Sequence, residues 1–401
     1  MNIALIMERI EAWRGGAETS TMSFAGHLAD SGCRISILTA SHTPSTPKIT
    51  IVPIKASSPL RAGKTWLFAK RAARYIREED FDIVHCITPC LAADVYQPRG
   101  GTLPETRERN LATRDDAIQR GFKRLFQNTS LKYHVVAGLE KRLLNRRPSP
   151  WVIAVSQYVV DQLQRHYNFD SSRVRQIFNG VDSDLTPPDQ RNTHRVQIRR
   201  QFALADDDLF VLCVAHNFRL KGVSKLIEAL ARLRARGESK SAPDTRRIYA
   251  VIVGRDNPTF YMHLADRLGV ADRILFSGQT QRINAFYHAA DLLAHPTFYD
   301  PCSRVVLEAM AAGLPIITTR FNGAAERINN GREGYVIDSP ANVDALADGI
   351  ERLTDDEHRK ECGSRALEAV ADVTMKNHAD RVLALYEEIL RSGQFNRSSY
   401  R

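Results

Sequence analysis

The residues best suited to chemistry in this chain fall in one stretch, His295-Pro-Thr-Phe-Tyr-Asp300-Pro-Cys-Ser303-Arg304-Val305-Val306-Leu-Glu308-Ala-Met-Ala-Ala-Gly-Leu-Pro-Ile-Ile-Thr-Thr. Residues 292–296 read as a strand, Asp300 lies in the loop behind it, and a helix over 303–312 carries Glu308 about a turn and a half from its start. The first turns of a helix expose unpaired N–H groups and the positive end of the helix dipole, which together favour an anion. Ser303, Arg304, Val305 and Val306 stand at that end, so a diphosphate can dock there. Asp300 and Glu308 are then placed to accept hydrogen bonds from hydroxyl groups on either side of it. On residue types alone the same pair also reads as an N-capping aspartate and a solvated helix glutamate.

A second cluster, His216-Asn-Phe-Arg219-Leu-Lys221-Gly222, follows the apolar run 210–215. It is either a pair of cations at a strand's carboxyl end or an exposed basic loop. Gly254 ends the strand 249–253, and Gly278 follows the strand 274–277. Gly15 and Gly16 lie between the first strand, 2–7, and the first helix, 18–31, and on residue types alone the pair reads as an ordinary loop turn. His85 lies in the strand 82–87, with Asp94 and Arg99 in the loop beyond it. A satisfied strand-end histidine and a turn-capping aspartate are the structural alternatives for the first two.

Such positions require strands that end on a common edge. Short apolar runs alternate with longer helical patterns along the chain, the order expected of parallel sheets covered by helices. Further strands are read at 34–39, 151–155 and 174–178 and further helices at 65–79, at 156–167 behind a Ser156 cap, and over a long basic stretch after Gly121. The segment 181–204 contains Pro187-Pro188 and reads as an interdomain connection with one helix. A second alternating series occupies 205–375, and a final helix over 376–391 precedes a polar tail. The fold class is therefore α/β, with two Rossmann-like doubly wound domains, 1–180 and 205–375. Ligands of such sheets bind at the carboxyl ends of strands, so the expected site is the cleft between the domains.

The 401 residues suit two domains, each with its own core. Apolar residues at 43% and charged residues at 25% exclude a disordered chain, and no apolar run reaches the roughly 18 residues of a membrane-spanning helix. Six scattered cysteines without CxxC spacing argue against zinc and redox sites, so no metal is expected. The opening residues are too short in apolar length and too acidic for a signal peptide, which makes a reducing cytoplasm the expectation. Residues 1–180 hold 26 Lys and Arg against 16 Asp and Glu, whereas 181–401 hold 30 of each, so the first half carries the whole net charge of +10. Nucleic acid, an anionic membrane surface and an acidic substrate all fit such a surplus. The stretch 107–147 contains eleven Lys or Arg interleaved with Phe122, Leu125, Phe126, Leu131, Tyr133 and Val135. It reads as a solvated face or as a membrane-surface patch.

The 300–308 acidic pair and its setting resemble the acidic-x7-acidic motif of the retaining nucleotide-sugar glycosyltransferases of family 4, which have the GT-B fold. Other pieces follow in the family's order: Gly15-Gly16-Ala-Glu18, the glycine loop that the resemblance sets close to the donor phosphates, Ile153-Ala-Val-Ser156, Phe178-Asn-Gly-Val-Asp182 and Lys221-Gly222. The phrases Val253-Gly-Arg-Asp-Asn-Pro, Ala265-Asp-Arg-Leu-Gly-Val and Phe276-Ser-Gly are similar to the lipopolysaccharide-core glucosyltransferase subgroup. The resemblance implies that Asp300, standing where the family usually has Glu, contacts the donor sugar and that Glu308 contacts the nucleotide ribose. It implies that Lys221, and more loosely Arg219, neutralise the leaving diphosphate, and that the loops at Gly254 and Gly278 frame the diphosphate and base. UDP, and glucose as the sugar, are the implied donor parts.

The expected protein is thus a metal-independent retaining hexosyltransferase without a resident cofactor, UDP-glucose serving as co-substrate. A glycan or lipid-linked acceptor would contact the first domain, with His85, Asp94 and Arg99 as acceptor-side candidates. The surplus charge is assigned to peripheral attachment at the inner face of the cell membrane and not to nucleic acid. The rivals are a GT-B nucleotide-sugar epimerase and a non-catalytic glycan- or nucleic-acid-binding protein.

Overall fold

The strands are short runs of β-branched and other apolar residues, most of them buried on both faces, the pattern that a parallel sheet under helices imposes. The computed structural model describes residues 1–10, 16–114, 121, 129–182, 186–239 and 247–393. The chain divides into two units, Met1–Val181 with Val373–Arg401, and Asp182–Asp372.

The first unit contains β1 (Asn2–Ile6), α1 (Gly16–Asp30), β2 (Arg34–Thr39), β3 (Ile49–Pro53), α2 (Arg61–Glu78), β4 (Ile83–Cys86), β5 (Val95–Tyr96), α3 (Leu103–Ala112), α4 (Leu131–Leu144), β6 (Trp151–Ala154), α5 (Gln157–Tyr167) and β7 (Val174–Gln176). Its seven strands are parallel and ordered β3-β2-β1-β4-β5-β6-β7, so the chain reverses its direction of travel between β1 and β4. Ser156 caps α5, its hydroxyl accepting the Val159 N–H at 3.2 Å. The two-residue β5 is held from outside the sheet. Buried Glu140 of α4 accepts the Tyr96 hydroxyl at 2.7 Å and the Leu103 N–H at 3.0 Å, and it also accepts the Tyr167 hydroxyl. Burial raises the Glu140 carboxyl pKa, and these three donors work against the shift.

The second unit runs α6 (Pro188–Gln201), β8 (Leu209–Val214), α7 (Val223–Ser239), β9 (Ile248–Val253), α8 (Thr259–Arg267), β10 (Ile274–Gly278), α9 (Ile283–Ala289), β11 (Leu292–His295), α10 (Arg304–Ala311), β12 (Ile316–Thr319), β13 (Gly334–Ile337), α11 (Val343–Arg352) and α12 (Asp356–Ala369). Its six parallel strands are ordered β10-β9-β8-β11-β12-β13, with the reversal between β8 and β11. Val211, Cys213, Leu226, Ile252, Leu292 and Ile317 lie in its core.

The last helix, α13 (Met375–Ser392), belongs to the first unit and buries Met375, Val382, Leu385, Tyr386 and Ile389 against Ile3, Phe24 and Ile83. Gly180 makes its entry possible, because a Cβ there would stand 2.5 Å from Met375 Cα. The neighbouring Val181 N–H donates to Val373 O at 3.1 Å, and Met375 N–H donates back to Val181 O at 2.9 Å. The Asn-Gly-Val-Asp segment is thus the seat of the terminal helix.

Four elements escape the sequence pattern: β3, β5, α3 and β13. Strand β5 is too short to show a period, and α3 begins Leu-Pro-Glu-Thr-Arg with Glu105 as its one buried side chain. The segment 182–204, expected as a connection, belongs to the second unit, and its helix α6 buries Ile198 and Arg199. Gly15 and the residues Phe122, Leu125 and Phe126 of the basic stretch lie outside the described residues.

Candidate active site

Lys221 and Asp300 come from loops that follow β8 and β11, the neighbouring strands at the reversal of the second sheet. The loops are joined through one carbonyl: Leu220 O accepts the Thr297 hydroxyl at 3.1 Å and the Phe298 N–H at 2.8 Å. Gly222 permits this approach, since it holds φ at +71° and a Cβ there would stand 2.0 Å from Pro296 O. Lys221 Nζ lies 2.6 Å from Asp300 Oδ2, with the two side chains 17% and 15% exposed. Burial alone would raise the Asp300 carboxyl, but the Lys221 ammonium and His295 outweigh it and hold the group well below the usual carboxylate range. Backbone bonds fix the aspartate further: its N–H donates to Phe321 O and its carbonyl accepts the Gly323 N–H, both at 2.9 Å.

His295 closes β11 and is fully enclosed. Its Nε2 lies 3.7 Å from Asp300 Oδ2 and 3.5 Å from Ser303 Oγ, and burial lowers its pKa against the pull of Asp300. Its Nδ1 has no hydrogen-bond partner among the described residues.

Ser303 caps α10, accepting the Val306 N–H at 3.4 Å, while its own N–H donates to Asn322 Oδ1 at 3.1 Å. Arg304 and Val305 head the helix, and Glu308 follows one turn after Arg304. Arg304 Nη2 lies 3.1 Å from Glu308 Oε1 and 3.9 Å from Asp182 Oδ2. The Tyr287 hydroxyl donates to Glu308 Oε2 at 2.9 Å. Burial raises the Glu308 carboxyl against the pull of Arg304 and Tyr287.

Arg219 is exposed and has no ion-pair partner among the described residues. Burial lowers the His216 imidazole, and the charges of Arg255 and Lys221 push it the same way, which marks a positive field at this edge. Gly254 serves packing: its Cβ would stand 1.7 Å from Ala215 O, and its N–H donates to Gly278 O at 2.9 Å. Gly278 holds φ at +74° with open space around it. In the first unit, Gly16 is the first residue of α1.

Two acceptor-side candidates are buried. His85 is fully buried, shares a 2.5 Å hydrogen bond with the Tyr386 hydroxyl and meets Phe24 edge-on. Asp94 is also buried and accepts the Val84 N–H at 2.7 Å, which ties β4 to the chain entering β5. Both side chains have the structural partners that their residue types also allowed, a satisfied strand-end histidine and a turn-fixing aspartate. Arg99 is half-buried, donates to Thr21 Oγ1 at 3.0 Å and Ser20 Oγ at 3.3 Å, and lies over the Phe24 ring.

Among the described residues, one group of three potential metal ligands converges, Glu105, Glu108 and His166 in the first unit. Arg109 lies 2.7 Å and Arg165 3.3 Å from Glu105, so cationic side chains already fill its surroundings. Sequence reasoning missed His295 and Tyr287. A strand-end histidine five residues before Asp300 was a usable signal, whereas nothing local links Tyr287 to Glu308.

Two doubly wound parallel units, the second with cations and carboxylates gathered at its strand carboxyl ends, define a GT-B architecture. The sequence models described as Glycosyltransferase Family 4 and Glycosyl transferases group 1 match residues 14–185 and 194–369. Together they span most of the chain, which belongs to the family 4 glycosyltransferases with a group 1 carboxy-terminal domain. The lipopolysaccharide glucosyltransferase WaaG of Escherichia coli K12 is 26% identical over 83% of this chain and 84% of its own length. The D-inositol 3-phosphate glycosyltransferase of Corynebacterium glutamicum is 32% identical over 60% of this chain, which spans 57% of that relative. In fold, the crystal structure of WaaG, a glycosyltransferase involved in lipopolysaccharide biosynthesis, superposes with a TM-score of 0.78 at 22% identity, over 96% of this chain and 99% of that one. Anabaena Alr3699/HepE, solved in complex with UDP-glucose, gives 0.71 at 20% identity over 97% and 100%.

Proposed function

We propose that this glycosyltransferase moves a hexose, glucose by preference, from a UDP-sugar to a glycan or lipid-linked acceptor in cell-envelope polysaccharide or lipopolysaccharide synthesis, with retention at the anomeric carbon. The observation that carries the reading is the Lys221–Asp300 pair beside the Ser303-capped helix that bears Glu308. The full-length likeness to a lipopolysaccharide glucosyltransferase and the UDP-glucose complex of a fold neighbour support the choice of donor.

In this reading the head of α10 and Arg304 hold the diphosphate. Lys221 and Arg219 neutralise the charge that grows as the bond from the anomeric carbon to the phosphate oxygen breaks, work that needs no metal ion. Glu308 accepts from the ribose, and Asp300, ionised and fixed by Lys221, accepts from a donor-sugar hydroxyl. The acceptor oxygen bonds to the anomeric carbon on the face the phosphate leaves, and its proton passes to the departing phosphate oxygen. No protein nucleophile and no resident cofactor enter the scheme. The basic first half is assigned to peripheral attachment at an anionic membrane surface on the cytoplasmic side.

A panel of UDP-, GDP- and ADP-sugars, incubated with and without membrane extract, tests this. Free UDP and a new glycan that appear together when extract is present support transfer. Isomerised donor without extract identifies an epimerase, and tight salt-sensitive glycan or nucleic-acid binding without any UDP binding identifies a non-catalytic protein; either result overturns the reading.

A further inference from the structure

The first sheet reverses between β1 and β4, as the second does between β8 and β11. Open parallel sheets take their ligands outside the strand carboxyl ends at such a reversal. In the second unit Lys221 and Asp300 occupy that place, and in the first it is held by Glu8 and Thr88, each two residues beyond its strand. They are bonded directly, the Glu8 N–H donating to Thr88 Oγ1 at 3.1 Å.

The loop that bears Glu8 is also tied to the far side, where β2 ends. Glu8 O accepts the Ala40 N–H at 3.0 Å and the Thr39 hydroxyl at 3.3 Å, and the Ile10 N–H donates to Ser41 Oγ at 3.0 Å. The side chain is fixed as well. Thr65 of α2 donates its hydroxyl to Glu8 Oε1 at 2.9 Å, nearer than Arg61 O at 3.4 Å. Glu8 is nevertheless partly exposed, and among the described residues its carboxylate forms no ion pair and its Oε2 meets no donor. The Thr88 O–H likewise has no acceptor among the described residues.

A carboxylate oxygen and a hydroxyl proton on two bonded, anchored loops match neighbouring sugar hydroxyls, one donating and one accepting. The same carboxylate disfavours a phosphate or a uronate at this place, because like charges repel. The positive surplus of residues 1–180 therefore does not describe the accepting sugar itself. We propose that Glu8 and Thr88 bind the accepting sugar and that this sugar is uncharged and presents a vicinal diol, a conclusion that rests on the transferase reading above and deepens it. Glu8 Oε2 accepts from one hydroxyl, and the Thr88 O–H donates to the next. Glu8 orients the acceptor and takes no proton from it, since the proton of the accepting oxygen leaves with the phosphate.

The test compares wild type, E8Q and E8A of the full chain in UDP release from UDP-glucose. The acceptors are membrane extract, the methyl α-glycosides of glucose, galactose and mannose, and methyl α-glucuronide. Calorimetry gives the UDP affinity, and melting curves report the fold. Wild type is expected to use at least one neutral glycoside and to prefer it to the glucuronide. E8Q keeps an oxygen for the Thr65 hydroxyl, so it should melt and bind UDP as wild type does. Its kcat/KM for the neutral glycoside should fall about tenfold or more, as expected when a charged acceptor becomes a neutral one. Its preference for that glycoside over the glucuronide should also narrow, which a residue that merely held the loops would not cause. E8A should lose more. Equal rates for E8Q and wild type, a glucuronide preferred by wild type, or extract that supports UDP release when no neutral glycoside does would each overturn the proposal and leave the donor reading standing. Absence of both UDP binding and UDP release in wild type would overturn the transferase reading and this proposal with it.

Discussion

Lys221 Nζ and Asp300 Oδ2 are 2.6 Å apart across two loops of one sheet, and the pair is mostly withdrawn from water. A carboxylate held this way is ready to accept a hydrogen bond without waiting for a proton to leave. In the proposed reading the lysine serves both the aspartate and an incoming phosphate.

Breaking this pair should therefore be costly in two currencies. Removing one partner leaves a largely buried charge alone, so D300A and K221M should each lose about 3 kcal/mol of stability in urea melts. The K221M/D300A double variant should lose less than the sum by about 1–3 kcal/mol, which reports direct coupling. The pH dependence has a fixed sign. Asp300 is depressed in the fold, so its contribution is complete above the ordinary aspartate pKa of about 3.9 and disappears as pH falls through the lower folded value. Urea midpoints measured between pH 6 and pH 3 should fall less steeply for D300N than for wild type. Parallel curves would show that the carboxylate is not held as described.

Glu308 behaves oppositely. Burial raises its pKa, so protonation is favoured in the fold, and stability falls as pH rises from the ordinary glutamate value through the raised one. E308Q keeps an acceptor for the Tyr287 hydroxyl and removes the charge that burial penalises. It should melt no lower than wild type at pH 7. Its UDP-glucose affinity in calorimetry should nevertheless drop about 10- to 100-fold, since a neutral amide replaces a charged acceptor. A large loss of melting temperature together with intact donor binding would assign Glu308 to structure alone.

The positions of Lys221, Asp300, Ser303 and Glu308 were legible because each lies at a strand end or helix start that leaves a local mark. Apolar runs of four to six residues fix β8 and β11, and the serine cap fixes the start of α10. What the pattern could not carry is contact between distant segments. His85 looked available at a strand end, yet its partner Tyr386 lies 301 positions away on the terminal helix. Asp94 looked like a loop residue because β5 has two residues and no period. Gly254 is also constrained by a contact that no local pattern shows, a carbonyl on the neighbouring strand's loop.

That last point separates two glycines by experiment. G254A drives a Cβ to 1.7 Å from the Ala215 carbonyl oxygen, a backbone atom that cannot swing aside. It should destabilise the protein by about 3 kcal/mol or more, at the upper end of overpacking costs. G278A meets nothing within 4 Å, and its penalty is the left-handed backbone at φ +74°, about 1–2 kcal/mol. Thermal melts of both variants check the order. A G278A protein less stable than G254A would contradict the geometry.

The surplus charge gives the last prediction. All of the +10 resides in residues 1–180, since 181–401 hold 30 basic and 30 acidic side chains. In the proposed reading the donor diphosphate needs a few cations, and Lys221, Arg219 and Arg304 would supply them from the balanced half. A surplus left over in the other half suits an anionic surface, where each basic side chain near the bilayer contributes about 1 kcal/mol. Among the described residues no helix is long and apolar enough to cross a membrane. Attachment by surface charge has to weaken with salt, because the screening length shrinks from about 8 Å at physiological ionic strength to about 3 Å at 1 M. Co-sedimentation with vesicles containing phosphatidylglycerol should therefore be strong at low salt and largely lost at 1 M, and absent with pure phosphatidylcholine. Retention at 1 M salt would point to an apolar anchor and leave the charge without this role.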